Sequence, residues 1–176
     1  LADEYVRAMM LLRAAGLAYG NSGVSLKLIE QILKLLNSGV CPLIPSQGSV
    51  GASGDLAPLA HLSLVLIGEG KARLSKPGEL NRPDTPVVSG KQALRHAGLK
   101  PLKLWPKEGL ALTNGTQFMF ALGTLTLLEA EHFADAADAI GALSVEALRG
   151  TVVAFEPEIH AVRPHPGQVK VAKRMR

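Results

Sequence analysis

Apolar residues recur along most of the chain at helical spacing, and the strict alternation of a half-buried strand is scarce. Residues 2–19 carry Tyr5, Val6, Met9, Met10 and Leu17 in a helical pattern that Gly20-Asn21 stops. Ser25 reads as the cap of a second helix, whose Leu26, Ile29, Ile32, Leu33 and Leu36 share one face before Gly39 ends it. Residues 42–55 hold Pro42, Pro45, Gly48, Gly51 and Gly54, so a loop is expected there. A third helix is expected from about 56 to 67, with Asp55 as its cap and Pro58 in its first turn, where a missing N–H costs nothing. Residues 68–88 are polar and broken by Pro77-Gly78, Pro83 and Pro86, which predicts an exposed loop or short hairpin. Ser89 caps a short helix ending near Gly98. From about 116 to 147 the chain is rich in Ala and Leu and apolar around most of a helical circumference, which predicts a long core helix buried among others. Residues 168–176 form a last expected helix with no stop signal.

The pattern therefore predicts an all-α fold, a partial helical bundle with a glycine-rich loop, whose helices are too apolar to stand alone. Its 176 residues are one domain's worth of chain. The opening Leu1 and a helical pattern already running at Tyr5 suggest an internal segment of a longer protein. The net charge of +4 comes from scattered Lys and Arg without interleaved aromatics, so nucleic acid is not expected as a partner. The single cysteine, Cys41, excludes a disulfide framework within the chain and fits a reducing compartment. No secretory signal is visible, and no charge-free run reaches the roughly 18 residues of a membrane span, so no membrane association is expected.

Chemistry concentrates in Gly48-Ser-Val-Gly-Ala-Ser-Gly-Asp-Leu-Ala-Pro-Leu-Ala-His61. Within it, Ala52-Ser53-Gly54 can condense with itself. The Gly54 amide nitrogen attacks the Ala52 carbonyl carbon with loss of water, and Ser53 loses its hydroxyl as a second water. The product is a five-membered imidazolone with an exocyclic methylene, an electrophile that no side chain supplies. Ring closure needs glycine at the attacking position, because a Cβ would obstruct the tight backbone geometry. A phosphate-cradling loop would require Gly-Lys-Ser/Thr where Asp55-Leu56 stands, and a hydrolase elbow would require glycine two residues on both sides of its serine.

Other residues carry two readings each. Asn114 can act beside the ring, or its spacing in Asn114-Gly-Thr-Gln117 can make a capping box. Asp55 can cap its helix or support cyclisation. His61, in an apolar stretch, reads as a hydrogen-bonded core histidine. His160 and His165 bracket Pro164 without further ligands in a fixed pattern, so no metal site is assigned. Arg163 reads as a surface or interface arginine, and the acidic groups of Glu129, Glu131, Asp135 and Asp138 as exposed positions on the long helix.

The Ala52-Ser53-Gly54 segment resembles that of the histidine and aromatic amino-acid ammonia-lyases. So, in the same order, do Leu110-Ala-Leu-Thr-Asn-Gly-Thr-Gln117, Leu143-Ser-Val-Glu-Ala-Leu148 and Ile159-His-Ala-Val-Arg-Pro-His-Pro-Gly-Gln168. The resemblance implies a bundle of the ammonia-lyase and fumarase/aspartase-like type. It implies a 4-methylidene-imidazol-5-one formed from Ala52, Ser53 and Gly54, with no external cofactor, and Asn114 beside it. It also implies a small amino-acid substrate, a cytoplasmic setting and a homo-oligomer, tetrameric in the parent enzymes. The segments look closest to the bacterial histidine-processing members, which implies deamination of L-histidine to urocanate and ammonia. A phenylalanine or tyrosine ammonia-lyase or aminomutase using the same ring is the alternative. An inactive helical fragment is the alternative of another class. Tyr5 and Tyr19 do not sit in the motif of the family's active-site tyrosine, so the chain offers an electrophile without an assigned general base.

Overall fold

A computed structural model describes residues 1–51, 54–75 and 84–176. It divides into two compact units, Leu1–Leu125 and Thr126–Arg176.

The first unit is built on α1 (Asp3–Ala18) and α2 (Leu26–Asn37), which pack against each other. In α1 the buried positions Val6, Met9, Met10, Ala14 and Leu17 follow a three-and-four spacing, and Arg13 lies in the same stripe. Ser25 caps α2 by accepting from the Leu28 N–H, and Gly39, at φ +75, follows its end. Next come β1 (Val40–Pro42), α3 (Leu56–Leu66), β2 (Lys71–Leu74), β3 (Val87–Ser89), α4 (Gly90–His96) and α5 (Glu108–Thr113). Ser89 and Gln92 form a full capping box at the start of α4. α3 packs on both α4 and α5 and reaches α1, which makes it the centre of the unit. Leu59, Leu62, Val65 and Leu66 of α3 are fully buried among Met9, Ile32, Leu35 and Leu94.

The three strands form one antiparallel sheet in the order β1-β2-β3, with Cys41 opposite Arg73 and Ala72 opposite Val88. Sequence patterning places residues 42–55 wholly in a loop and does not anticipate that β1 pairs with β2. Strands of three or four residues are too short to display alternation, and Pro42 is tolerated because β1 is an edge. The expected loop or hairpin at 68–88 contributes β2 and β3, while its residues 76–83 lie outside the described residues. Cys41 is buried, with its thiol pushed above the ordinary range by burial and by the nearby Asp3 carboxylate. Asp3 is itself buried and accepts from Arg73 Nη1 at 2.8 Å and Ser75 Oγ at 2.9 Å, which fastens α1 to the sheet.

α6 (Gln117–Ala147) begins in the first unit and continues into the second. The apolar circumference predicts burial, yet Ala121 is its one buried residue, and Phe120, Leu127, Phe133, Ile140 and Leu143 are exposed. An apolar girth needs neighbours on several sides, and the described elements of this chain do not supply them. The second unit adds a 3-10 turn (Val153–Phe155), α7 (Pro157–Ala161) and α8 (Pro166–Met175). Arg174 of α8 pairs with Asp135 and Asp138 at 2.5 and 2.9 Å. Among the described residues no helix is long and apolar enough to cross a membrane.

The central position of α3 sets an expected cost: Leu62→Ala should lower the unfolding free energy by about 2–5 kcal/mol in urea titrations.

Candidate active site

Two segments sixty residues apart in sequence meet at a pair of glycines. Gly54 ends the tripeptide singled out in the sequence, whose Ala52 and Ser53 lie outside the described residues. At φ +132 Gly54 occupies a backbone conformation that side chains rarely adopt, and a Cβ placed there would run into the carbonyl of Gly115. Gly51 is equally constrained, since its Cβ would meet the carbonyl of Gly54. Gly51 thus lies close against Gly54, and Gly54 is pressed, backbone to backbone, against the residue after Asn114.

Asp55 closes the turn from below. It occupies the residue before α3, as expected for a cap, but its side chain makes no capping bond. Its Oδ1 instead accepts from Ser49 Oγ at 2.8 Å and from the Gly51 N–H at 3.1 Å, and the residue is buried. A carboxylate that could have satisfied the orphan N–H groups of α3 is spent on the loop, leaving that helix end beside Gly54 without a side-chain cap.

Asn114 does not begin a helix. It ends α5 with φ −95 and ψ 113, its N–H donating to Leu110 O, and α6 starts three residues later at Gln117. The capping box suggested by Asn114-Gly-Thr-Gln117 is not formed, because the Gln117 Oε1 accepts from Arg13 Nη1 at 2.9 Å. Among the described residues the Asn114 carboxamide makes no hydrogen bond, and the residue is exposed. It is available to a ligand.

Sequence patterning missed the groups that hold this turn. The buried Arg13 donates through Nη2 to Ala111 O and, at 2.8 Å, to Asn114 O. Its guanidinium therefore satisfies carbonyls at the end of α5 and grips the first residue of α6 at once. Burial lowers its pKa from the ordinary value, though a guanidinium stays charged at any physiological pH. Glu108 anchors the other end of α5. It is buried and accepts from Ser25 N at 2.9 Å, Ser25 Oγ at 2.7 Å and Trp105 N at 2.8 Å. Lys107, immediately before it, is held in the left-handed region at φ 73. The only advance sign of Arg13 was a charged residue inside the apolar stripe of α1. His61, expected to be a hydrogen-bonded core residue, is half-buried and makes no hydrogen bond among the described residues; it lines a cleft of about 550 Å³ with Leu43, Pro45 and Arg73.

Residues 1–176 match the family model described as aromatic amino acid lyase. The chain is 54% identical over 170 residues to the histidine ammonia-lyase of Anaeromyxobacter sp. (strain K), covering 97% of this chain and 33% of that protein. A solved histidine ammonia-lyase from Trypanosoma cruzi superposes with a TM-score of 0.87 at 43% identity, over 100% of this chain and 33% of that one. The Pantoea agglomerans phenylalanine aminomutase gives a TM-score of 0.86 at 39% identity, over 99% of this chain and 32% of that one. The chain thus spans about a third of the length of the relatives it matches.

The Glu108 anchor has a pH signature. Burial pushes its carboxyl up, but the N–H groups of Trp105 and Ser25 and the Ser25 hydroxyl outweigh this and hold it below the usual carboxylate range. A depressed folded pKa gives stability that is present above the unfolded value of about 4.3 and lost as pH falls through the folded one. Glu108→Gln should cost about 1–3 kcal/mol at pH 7 and flatten the decline below pH 4, as read by urea unfolding at both pH values.

Proposed function

The chain belongs to the aromatic amino acid lyase family, and from that membership we propose that it carries the prosthetic-group loop of an ammonia-lyase acting on L-histidine, giving urocanate and ammonia. One observation carries the reading: the glycine that would close the ring lies against the turn that presents Asn114. The residues fit a 4-methylidene-imidazol-5-one made from Ala52, Ser53 and Gly54. Gly51 and Gly54 leave no room for a Cβ, and Asp55 draws Ser49 and the Gly51 N–H together, so the residues flanking Ala52-Ser53 stand close to one another, as cyclisation requires. Once formed, the ring would supply an electrophile that accepts electron density from the bound amino acid.

The chain's own residues perform the remaining tasks. Asp55 supports the loop by holding its backbone. The uncapped start of α3 directs partial positive charge toward Gly54. The unbonded Asn114 carboxamide, with two donors and an acceptor, orients the substrate or the ring beside it. No external cofactor or metal enters this reading. Self-association, tetrameric in the parent enzyme, is supported by the uncovered apolar length of α6, and a cytoplasmic setting by the buried free thiol of Cys41.

Histidine is favoured over phenylalanine or tyrosine by the 54% identity to a protein named for histidine, against 39% to the phenylalanine aminomutase. Because the matched relatives are about three times as long, residues 1–176 alone are expected to give negligible turnover, and the intact gene product to be active. Two measurements test this. The mass of the intact product should be lower than its sequence requires by two waters, and Gly54→Ala should restore the full mass and abolish urocanate formation. An undiminished mass in the parent, or cinnamate or coumarate formed in preference to urocanate, would overturn the ring or the substrate respectively.

A further inference from the structure

Arg13 is the most unusual charged group in the first unit. It is 5% exposed, and among the described residues no carboxylate pairs with it. Burying an arginine without a counter-ion is costly, and such a group persists where its donors satisfy something specific. Here the Nη1 and Nη2 donors converge on one turn, while the buried Nε has no partner among the described residues. Nη2 holds Ala111 O and Asn114 O, and Nη1 holds the Gln117 side chain, so a single planar fork spans the turn from the end of α5 to the start of α6. A Cβ on Gly115, between these attachments, would collide with both Arg13 Nη1 and Gln117 Oε1. On its other side the Gly115 carbonyl meets Gly54. Arg13, Gly115, Gly54 and Gly51 therefore form a continuous stack with no side-chain volume between the guanidinium and the cyclising loop.

We propose that Arg13 is a positioning residue for the reaction: its guanidinium sets the Asn114–Gln117 turn against Gly54 and so fixes where the Asn114 carboxamide stands relative to the ring. This rests on the roles given above to Asn114 and to Ala52-Ser53-Gly54. Arg13 reaches the site only through backbone carbonyls and Gln117. A lysine has one point charge in place of a fork and cannot hold all three acceptors in their plane. Displacing a substrate-orienting group by about an ångström costs on the order of a hundredfold in rate.

The test uses the intact gene product and three readouts: its mass, amide hydrogen exchange at residues 114–117, and the split between kcat and KM. Arg13→Gln should keep the two-water mass deficit, since Asp55 and the glycines still fold the loop. It should speed exchange across 114–117 and lower kcat by at least about tenfold, with KM changed by less than about threefold. Arg13→Lys should fall between it and the parent. Arg7→Gln serves as the structural control: Arg7 Nη1 donates to Leu36 O at 3.0 Å at the far end of α2, and its loss should reduce Tm without changing kcat. If Arg13→Gln does not fold, Gln117→Ala removes one arm of the clamp without disturbing the buried charge and should show the same pattern more weakly. The proposal is overturned if exchange at 114–117 is unchanged, if kcat stays within about threefold of the parent, or if Arg7→Gln lowers kcat equally. A parent protein without the mass deficit overturns the ring itself, a failure visible before any variant is made.

Discussion

Everything at the candidate site depends on how closely two stretches of backbone approach. Gly54 and Gly115 touch without side chains between them, and Gly51 folds onto Gly54 from the other side. Backbone packing of this kind is specific because it has no slack: a methyl group at any of the three positions would have to occupy space already filled by a carbonyl or a side-chain amide. It also dictates the scaffold. α3 must leave the loop and α5 must enter the turn along a fixed line, which their direct packing on each other supplies. The core of Leu59, Leu62 and Leu66 against Ile32 and Leu35 is the means by which that line is held.

The buried polar groups follow one logic. Arg13 serves the carbonyls that end α5. Gln31 donates to Leu66 O at the end of α3 and to Lys100 O beyond α4. Glu108 accepts the N–H groups of Ser25 and Trp105 where α2 and α5 begin. Helix ends leave backbone groups unpaired, and in a unit of short helices many such ends fall inside. These side chains are placed in the core to satisfy them, and in doing so they fix the angles between helices that apolar contact alone would leave adjustable. Asp55 departs from that logic, serving a loop where a helix start lay within reach. The departure falls at the site, where a local rule is expected to give way to function.

Much of this was legible in the sequence. The helices α1 to α4 announced themselves by apolar spacing and by caps at Ser25 and Ser89, because those signals are local, whereas the six-residue α5 is too short to show a period and was not anticipated. The need for glycine at position 54 was legible for the same reason: the ring closure expected there concerns three adjacent residues, and the backbone indeed leaves no room for a Cβ. What the sequence hid was pairing at a distance. The β1–β2 ladder joins residues thirty positions apart through strands too short for periodicity. Gln117 looked like a capping partner for Asn114 and is taken by Arg13, more than a hundred positions away. Arg13 itself was visible as an anomaly in the stripe Val6, Met9, Met10, Leu17, but nothing local said which acceptors it would meet. The long helix was legible as a helix, but its apolar girth reports a need for neighbours, which the described residues of this chain do not supply.

That bare helix has a practical side. A rod with Phe120, Leu127, Phe133 and Ile140 facing water adds to a chain whose mean hydropathy is already positive, at +0.20. Handled as residues 1–176, the polypeptide would meet its limit in adhesion before unfolding: the first unit can be well packed while the molecules as a whole stick to one another. Concentration, and not temperature, then becomes the variable that decides how much of the sample stays dispersed.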